Sequence, residues 1–92
     1  MHLEEILKNE KHTVIDVRSP EEFATGHVEG AINIPLDNVV DRIEEFKKMN
    51  HPIVLCCASG SRSRQAHIYL SQHGVTNTYN GGSWLEIHDL KR

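Results

Sequence analysis

The chain has no long apolar run, no excess of basic residues and almost no cysteine, and each shortage removes a class of protein. No stretch of its 92 residues is long and apolar enough to span a membrane as a helix. Ten Lys and Arg stand against thirteen Asp and Glu, a formal net charge of -3. A nucleic-acid backbone is held chiefly by clustered basic side chains, so this balance argues against such a partner. The basic pair Lys47-Lys48 follows Glu44-Glu45 and reads as a solvated helix face. The only cysteines, Cys56 and Cys57, are neighbours. Adjacent thiols do not build the framework disulfide of a small secreted domain, and they lack the spacing of a Cys-x-x-Cys redox or metal pair. Seven histidines are scattered without ligand spacing, so neither a metal nor a cofactor is expected. The first residues are polar and acidic rather than basic and then apolar, which is not the pattern of an export signal and predicts the cytoplasm. A leader removed on maturation would leave the same chain in the periplasm. Repeats and low-complexity segments are also absent.

What remains is the composition of an ordinary globular protein, 38% hydrophobic and 25% charged, of a length that predicts one domain over residues 1–92. Residues 3–7 suggest a short amphipathic turn. Residues 13–17, with their β-branched run, predict a buried strand. Ser19-Pro20-Glu21-Glu22-Phe23 then carries a helix start, with Ser19 as cap, and Gly26 closes that helix. A turn from His27 leads to a very short strand ended by Pro35. Between Leu36 and Met49, apolar Leu36, Val39, Val40, Ile43 and Phe46 recur at three- and four-residue steps and predict one continuous helix. Strand 53–56, helix 62–73 ended by Gly74, strand 75–79, an Asn80-Gly81-Gly82 turn and a last helix containing Trp84, Leu85 and Ile87 follow. Alternating strands and helices imply an α/β fold with a mostly parallel sheet covered on both faces. In such sheets sites form at the carboxyl ends of the strands, where Asp16, Arg18, Cys57 and Arg62 are expected to converge.

The densest chemistry lies in the stretch from Pro52 to Leu70. An apolar strand delivers Cys57 to its end, Ala58-Ser59-Gly60-Ser61 turns the chain, and Arg62-Ser63 opens a helix. Small residues let backbone N–H groups curl inward, and a helix start adds positive potential, so a thiolate is stabilised from several sides. Cys56, inside the strand run, is expected to pack.

Residues 52–64 resemble the active loop of rhodanese-type sulfurtransferases: an apolar strand, Cys, two small residues, Gly, one residue, Arg and Ser. Cys57-Ala58-Ser59-Gly60-Ser61-Arg62-Ser63 fits that form. Residues 14–23, residues 26–35, and Asn80-Gly81-Gly82 with Trp84 resemble the family's other signatures, in the same order. Cys56 departs from the pattern, standing where the family usually carries an aromatic residue, and suggests a supporting or redox-modifying thiol. The segment before Trp84 is also shorter than in many members.

The resemblance implies a three-layer rhodanese-like α/β fold and a sulfurtransferase. Cys57 would take a sulfane sulfur from thiosulfate or a related small anionic donor as a persulfide, and pass it to a thiol, cyanide or protein-cysteine acceptor. Residues 58–63 would bind substrate, with Arg62 attracting the donor anion and Ser63 also capping the helix. Asp16 is read as an organiser of the loop, and Arg18 either as widening the positive field or as pairing with Glu21 or Glu22. His27 reads as a turn-fixing hydrogen bonder, Trp84 as core, and the chain as a monomer. Two other functions compete with this one. Counted from Cys56 the loop is Cys-x5-Arg, the spacing of cysteine phosphatases and arsenate reductases, although Gly60 then falls out of place. The alternative from a different class is a non-catalytic protein-binding module.

Overall fold

The computed structural model describes residues 3–9 and 11–91. In chain order it contains α1 (Leu3–Lys8), β1 (Thr13–Asp16), α2 (Pro20–Ala24), β2 (Ile32–Asn33), α3 (Leu36–Val39), α4 (Ile43–Lys48), β3 (Ile53–Cys57), α5 (Ser61–Gln72), β4 (Thr78–Ser83) and α6 (Trp84–Leu90). The strands form one sheet in the order β2-β1-β3-β4, and every pairing is parallel. Parallel neighbours need crossover connections, and the helices that supply them cover both faces, giving the three-layer α/β architecture. Among the described residues no helix is long and apolar enough to cross a membrane.

Side chains alternate along a strand, so β3 feeds two separate cores. Ile53, Leu55 and Cys57 join the core beneath α3, α4 and α5, which also holds Phe46, Ala66 and Leu70. Val54 and Cys56 point the other way, into the core shared with Ile6 and Leu7 of α1 and Ile87 of α6. All five β3 residues are buried, as expected of an inner strand carrying a near-continuous apolar run.

Local chemistry sets the helix ends. Ser19 caps α2 in a reciprocal capping box: its side chain accepts from the Glu22 N–H while the Glu22 carboxylate accepts from the Ser19 N–H, with Pro20 in the first turn. At the end of α5 the N–H groups of Gly74 and Val75 return to the carbonyls of Ser71 and Leu70, so this helix stops where the sequence predicts.

Two expectations are corrected. The single helix predicted between Leu36 and Met49 is two helices, α3 and α4, separated by a tight turn in which the Asp41 N–H donates to the Asn38 carbonyl and the Arg42 N–H to the Val39 carbonyl. The adjacent β-branched Val39 and Val40, followed by Asp41, make a weak helix interior. The break buries Val39 and Phe46 while leaving Val40 48% exposed. The strand predicted at residues 75–79 is instead β4, and Asn80-Gly81-Gly82 lies within it rather than in a turn. Val75 enters the core from the loop that precedes β4. Pairing slips between Leu55↔Asn80 and Cys56↔Gly82, a bulge that leaves Gly81 as the extra residue. A Cβ on Gly81 would lie 2.6 Å from Ile87 Cδ1 and 2.8 Å from Val54 Cγ1, so close packing, not a turn, calls for glycine here.

Candidate active site

Strand β3 ends at Cys57, and five residues later the chain is already in the first turn of α5. Gly60 makes this reversal possible: it caps α5 with φ of +102°, a left-handed conformation that side-chain-bearing residues rarely adopt. The site that Cβ would take on Gly60 is 3.2 Å from Gly82 Cα, so the loop rests on the bulged end of β4.

Within this turn the Cys57 sulfur receives the Gly60 N–H at 2.9 Å and the Ser63 N–H at 3.5 Å, with Ser63 Oγ also 3.5 Å away. Burial alone would push the thiol up. Hydrogen bonds from the Ser63 side chain and N–H, then from the Gly60 and Ser59 N–H groups, outweigh it and hold the thiol below its usual range. The N-terminus of α5 contributes in the same sense, since its first N–H groups carry partial positive charge. These donors form a ready cradle for a sulfur anion. Cys57 has no exposed surface of its own, while Ala58, Ser59 and Ser61 form an exposed lip above it.

Ser63 and Asn80 brace the cradle. The Ser63 hydroxyl lies 3.2 Å from the Gly60 carbonyl oxygen and 2.6 Å from Asn80 Oδ1, while Asn80 Nδ2 donates to the Gly60 carbonyl at 3.2 Å. The hydroxyl carries one proton, so its short contact with Asn80 competes with donation to the sulfur. Gly60, not Ser63, occupies the cap position of α5, which corrects the expected capping role of Ser63. In the sequence Asn80 stood out as part of a turn signal and of the last family signature, neither of which points to the loop. Its bracing role follows from the register of β4 against the loop.

Arg62 leaves the helix start toward α2. Its Nη1 and Nη2 donate to Glu22 Oε1 and Oε2 at 2.6 and 2.9 Å, a bidentate pair between residues forty positions apart. Hydrogen bonding to Arg62 is the chief reason that the Glu22 carboxyl falls to about 2. The same bond raises the Arg62 guanidinium. Glu22 thus serves both the capping box of α2 and the arginine of the loop. The sequence signal for the first role was legible; nothing local indicated the second. Arg62 also borders a cleft of about 180 Å³ lined by Val17, Ser19, Pro35, Leu36 and Asp37. A larger cleft of about 350 Å³ runs between α3 and α5 and shares Leu36 and Asp37 with it, but no residue of the loop lines that one.

Asp16 and Arg18 do not join this cluster. They form a buried pair, with Arg18 Nε and Nη2 donating to the Asp16 carboxylate at 2.7–3.0 Å. Arg18 Nη2 also donates to the Gly26 carbonyl at 2.7 Å and Nη1 to the Glu22 carbonyl at 3.3 Å, and the guanidinium stacks 4.7 Å from the Trp84 ring centroid. Arg18 therefore meets Glu22 only through its backbone, while its carboxylate partner is Asp16. The pair ties the end of β1 to α2, to the loop after it and to α6. Asp16 is an organiser, as expected, but of this clamp. Trp84 is partly buried and packs on the core beneath α1 and α6. His27 Nδ1 lies 2.8 Å from the Phe23 carbonyl oxygen, and its ring stacks on Phe23, as expected of a turn-fixing residue.

Cys56 lies on the Asp16 side of the sheet, where Asp16 is its direct neighbour in the register. Burial first, and then the Asp16 charge, push its thiol up to about 12. The Cys-x5-Arg register therefore starts from a thiol that faces away from the loop.

Comparison with known proteins bears on this geometry directly. Residues 2–88 match the family described as Rhodanese-like domain. The thiosulfate sulfurtransferase PspE of Escherichia coli is 42% identical over 74 residues, covering 79% of this chain and 71% of that protein. The thiosulfate sulfurtransferase GlpE of Pseudomonas putida is 31% identical over 83 residues, covering 90% and 74%. Among solved structures, a rhodanese with anions from E. coli superposes with a TM-score of 0.73 at 39% identity, over 82% of this chain and 89% of that one. A rhodanese-like domain protein from Staphylococcus aureus superposes with 0.77 at 30% identity, over 91% and 80%.

Proposed function

This chain belongs to the rhodanese-like domain family, and on that premise we propose that it moves sulfane sulfur from thiosulfate or a related donor to a thiol or cyanide acceptor through a persulfide on Cys57. The observation that carries the reading is the cradle: one sulfur faces two backbone N–H groups and the start of a helix, and its thiol lies below the usual range. A depressed thiol supplies nucleophile at neutral pH, and the same donors favour the persulfide anion that replaces it.

In the first half-reaction the Cys57 thiolate attacks the outer sulfur of thiosulfate. The new S–S bond forms as the bond to the sulfonate sulfur breaks, and sulfite leaves with that electron pair. In the second, an acceptor thiolate or cyanide attacks the outer sulfur of the persulfide, leaving as a persulfide or thiocyanate and returning Cys57 as thiolate. Ala58, Ser59 and Ser61 form the lip over which substrates pass, Gly60 and Ser63 hold the sulfur, and Arg62 guides the anionic donor. Asp16 and Arg18 support the site from the far side of the sheet, and Cys56 fills the core behind it. The whole chain acts as one domain and as a monomer.

The decisive experiment is intact-mass measurement after incubation with thiosulfate. The expected result is a gain of one sulfur atom that is lost on treatment with a thiol or cyanide and is absent in Cys57→Ser. No gain from thiosulfate or from other sulfane donors would overturn the reading and favour a protein-binding module.

A further inference from the structure

Ser63 has one hydroxyl proton and more acceptors than that proton can serve. Its Oγ lies 2.6 Å from Asn80 Oδ1, 3.2 Å from the Gly60 carbonyl oxygen and 3.5 Å from the Cys57 sulfur. Ser63 is fully buried, so bulk solvent does not compete for the proton. The Gly60 carbonyl already accepts from the Arg64 N–H at 3.0 Å and from Asn80 Nδ2 at 3.2 Å, which fills its two lone pairs. The hydroxyl therefore chooses between Asn80 and the sulfur. Asn80 is held for this part, because its Oδ1 also accepts the Gly82 N–H at 3.0 Å and keeps that bond when the hydroxyl turns away.

Charge decides the choice. A hydrogen bond to a charged acceptor is about twice as strong as one to a neutral acceptor. A Cys57 thiolate can draw the hydroxyl from Asn80 despite the longer distance, whereas an uncharged sulfur cannot. Resting on the sulfur-transfer reading above, we propose that Asn80 is a positioning residue of the reaction: its side-chain oxygen takes the Ser63 hydroxyl whenever the Cys57 sulfur is uncharged, and gives it up when charge returns to that sulfur.

The charge on Cys57 alternates in each turnover. In loading, its thiolate attacks the outer sulfur of thiosulfate, an S–S bond forms, and sulfite leaves with the electron pair of the bond that breaks. The negative charge now sits on the outer sulfur of the persulfide, and Cys57 Sγ is neutral. Cyanide then attacks that outer sulfur, thiocyanate departs, and the electron pair of the broken S–S bond returns the charge to Sγ. No proton is exchanged in either step; the hydroxyl only turns. Asn80 thereby favours loading, because it gives the hydroxyl a partner as the charge leaves Sγ, and it holds back unloading by the same bond.

The test is Asn80→Leu, which has nearly the shape of asparagine and no acceptor, made in the wild-type protein and in Ser63→Ala. The pH profile of Cys57 alkylation gives the thiol midpoint. Single-turnover rates of loading from thiosulfate and unloading to cyanide are read where the thiol is ionised. Without Asn80 the hydroxyl stays with the charged sulfur, since the Gly60 carbonyl is a neutral competitor. The midpoint is expected to fall, loading to slow about threefold and unloading to quicken by a similar factor, with all three changes absent in Ser63→Ala. A loop that had merely loosened would raise the midpoint and slow both steps. Asn80→Asp keeps the shape and strengthens the acceptor, so its midpoint rises, and by more with Ser63 present than in Ser63→Ala. The charged and titratable groups around the cradle stay the same in these variants: Arg62, Arg64 and His67 on α5, Glu22 bonded to Arg62, Glu86 beside Gly82, and Cys56 with the Asp16–Arg18 pair behind the sheet. A midpoint that is unchanged or rises in Asn80→Leu, two half-reactions slowed together, or equal changes in Ser63→Ala overturn the inference and leave sulfur transfer standing. Failure of the wild-type protein to load from thiosulfate or any other sulfane donor overturns sulfur transfer, while the alkylation midpoints still decide which partner the hydroxyl takes.

Discussion

Cys56 and Cys57 are joined by one peptide bond yet belong to opposite sides of the molecule, and each side pairs its cysteine with an arginine–carboxylate contact of its own. On the Cys56 side the contact is Asp16–Arg18, between residues two apart and almost fully buried. On the Cys57 side it is Glu22–Arg62, between residues forty apart with side chains 38% and 33% exposed. The same residue types do different work because their surroundings differ. A buried pair with every donor matched holds elements together, and opening it strands a charge in the core. A half-exposed pair can be exchanged with solvent or substrate, so it suits the mouth of a site. The thiols divide likewise. Cys56 is pushed up to about 12 and stays protonated, while hydrogen bonds hold Cys57 below its usual range.

The comparison breaks most visibly at the sulfurs. Cys57→Ser is expected to lower sulfur loading by at least about 10³-fold, whereas Cys56→Ser keeps it within a few-fold. Equal losses, measured by single-turnover loading and intact mass, would erase the division between the two sides. Next in size is the buried clamp. Asp16→Ala leaves Arg18 unpaired in the core and should cost about 3–5 kcal/mol of stability in denaturant titrations. The folded fraction should still load sulfur at nearly the wild-type rate; loss of activity at unchanged stability would move Asp16 to the catalytic side.

Smaller effects sharpen the contrast. The alkylation rate of Cys57 should rise with pH through a midpoint below the ordinary thiol value of 9.0, while Cys56 stays unreactive in the folded protein. Ser63→Ala removes a hydrogen bond to the sulfur, so the midpoint should move up and the rate at pH 7 fall several-fold. The smallest effect concerns Glu22, whose carboxyl lies near 2 in the folded protein against an ordinary value of 4.5. A group depressed on folding stabilises above its unfolded value. The stability advantage of the wild-type protein over Glu22→Gln should therefore be full above pH 4.5 and disappear as pH falls toward about 2. A difference independent of pH would separate Glu22 from the ion pair.

Much of this was legible along the chain. Short apolar and β-branched runs marked β1 and β3, the helix start at Ser19-Pro20-Glu21-Glu22 marked α2, and the run from Cys57 to Ser63 marked the loop. Errors arose where sequence signals were local and the deciding contacts were not. The apolar periodicity of residues 36–49 was real, but the core needed Val39 and Phe46 from two short helices, and it left Val40 outside. Asn80-Gly81-Gly82 has the composition of a turn, yet its small residues serve a bulged strand packed against Val54, Ile87 and the Cys57 loop.

By itself the sequence determined that the fold alternates strand and helix, that a cysteine meets a small-residue loop and a helix start, and which of two thiols holds that position. These follow from spacing, because strand alternation and helix caps are properties of neighbouring residues. Only the tertiary structure decided that Asp16 holds Arg18, that Asn80 braces Gly60 and Ser63, and that Glu22 holds Arg62. The contacts of Asn80 and Glu22 depend on where separate elements pack, and Asp16 and Arg18, though only two residues apart, are held together in the core by the Glu22 and Gly26 carbonyls and the Trp84 ring that packing brings against Arg18.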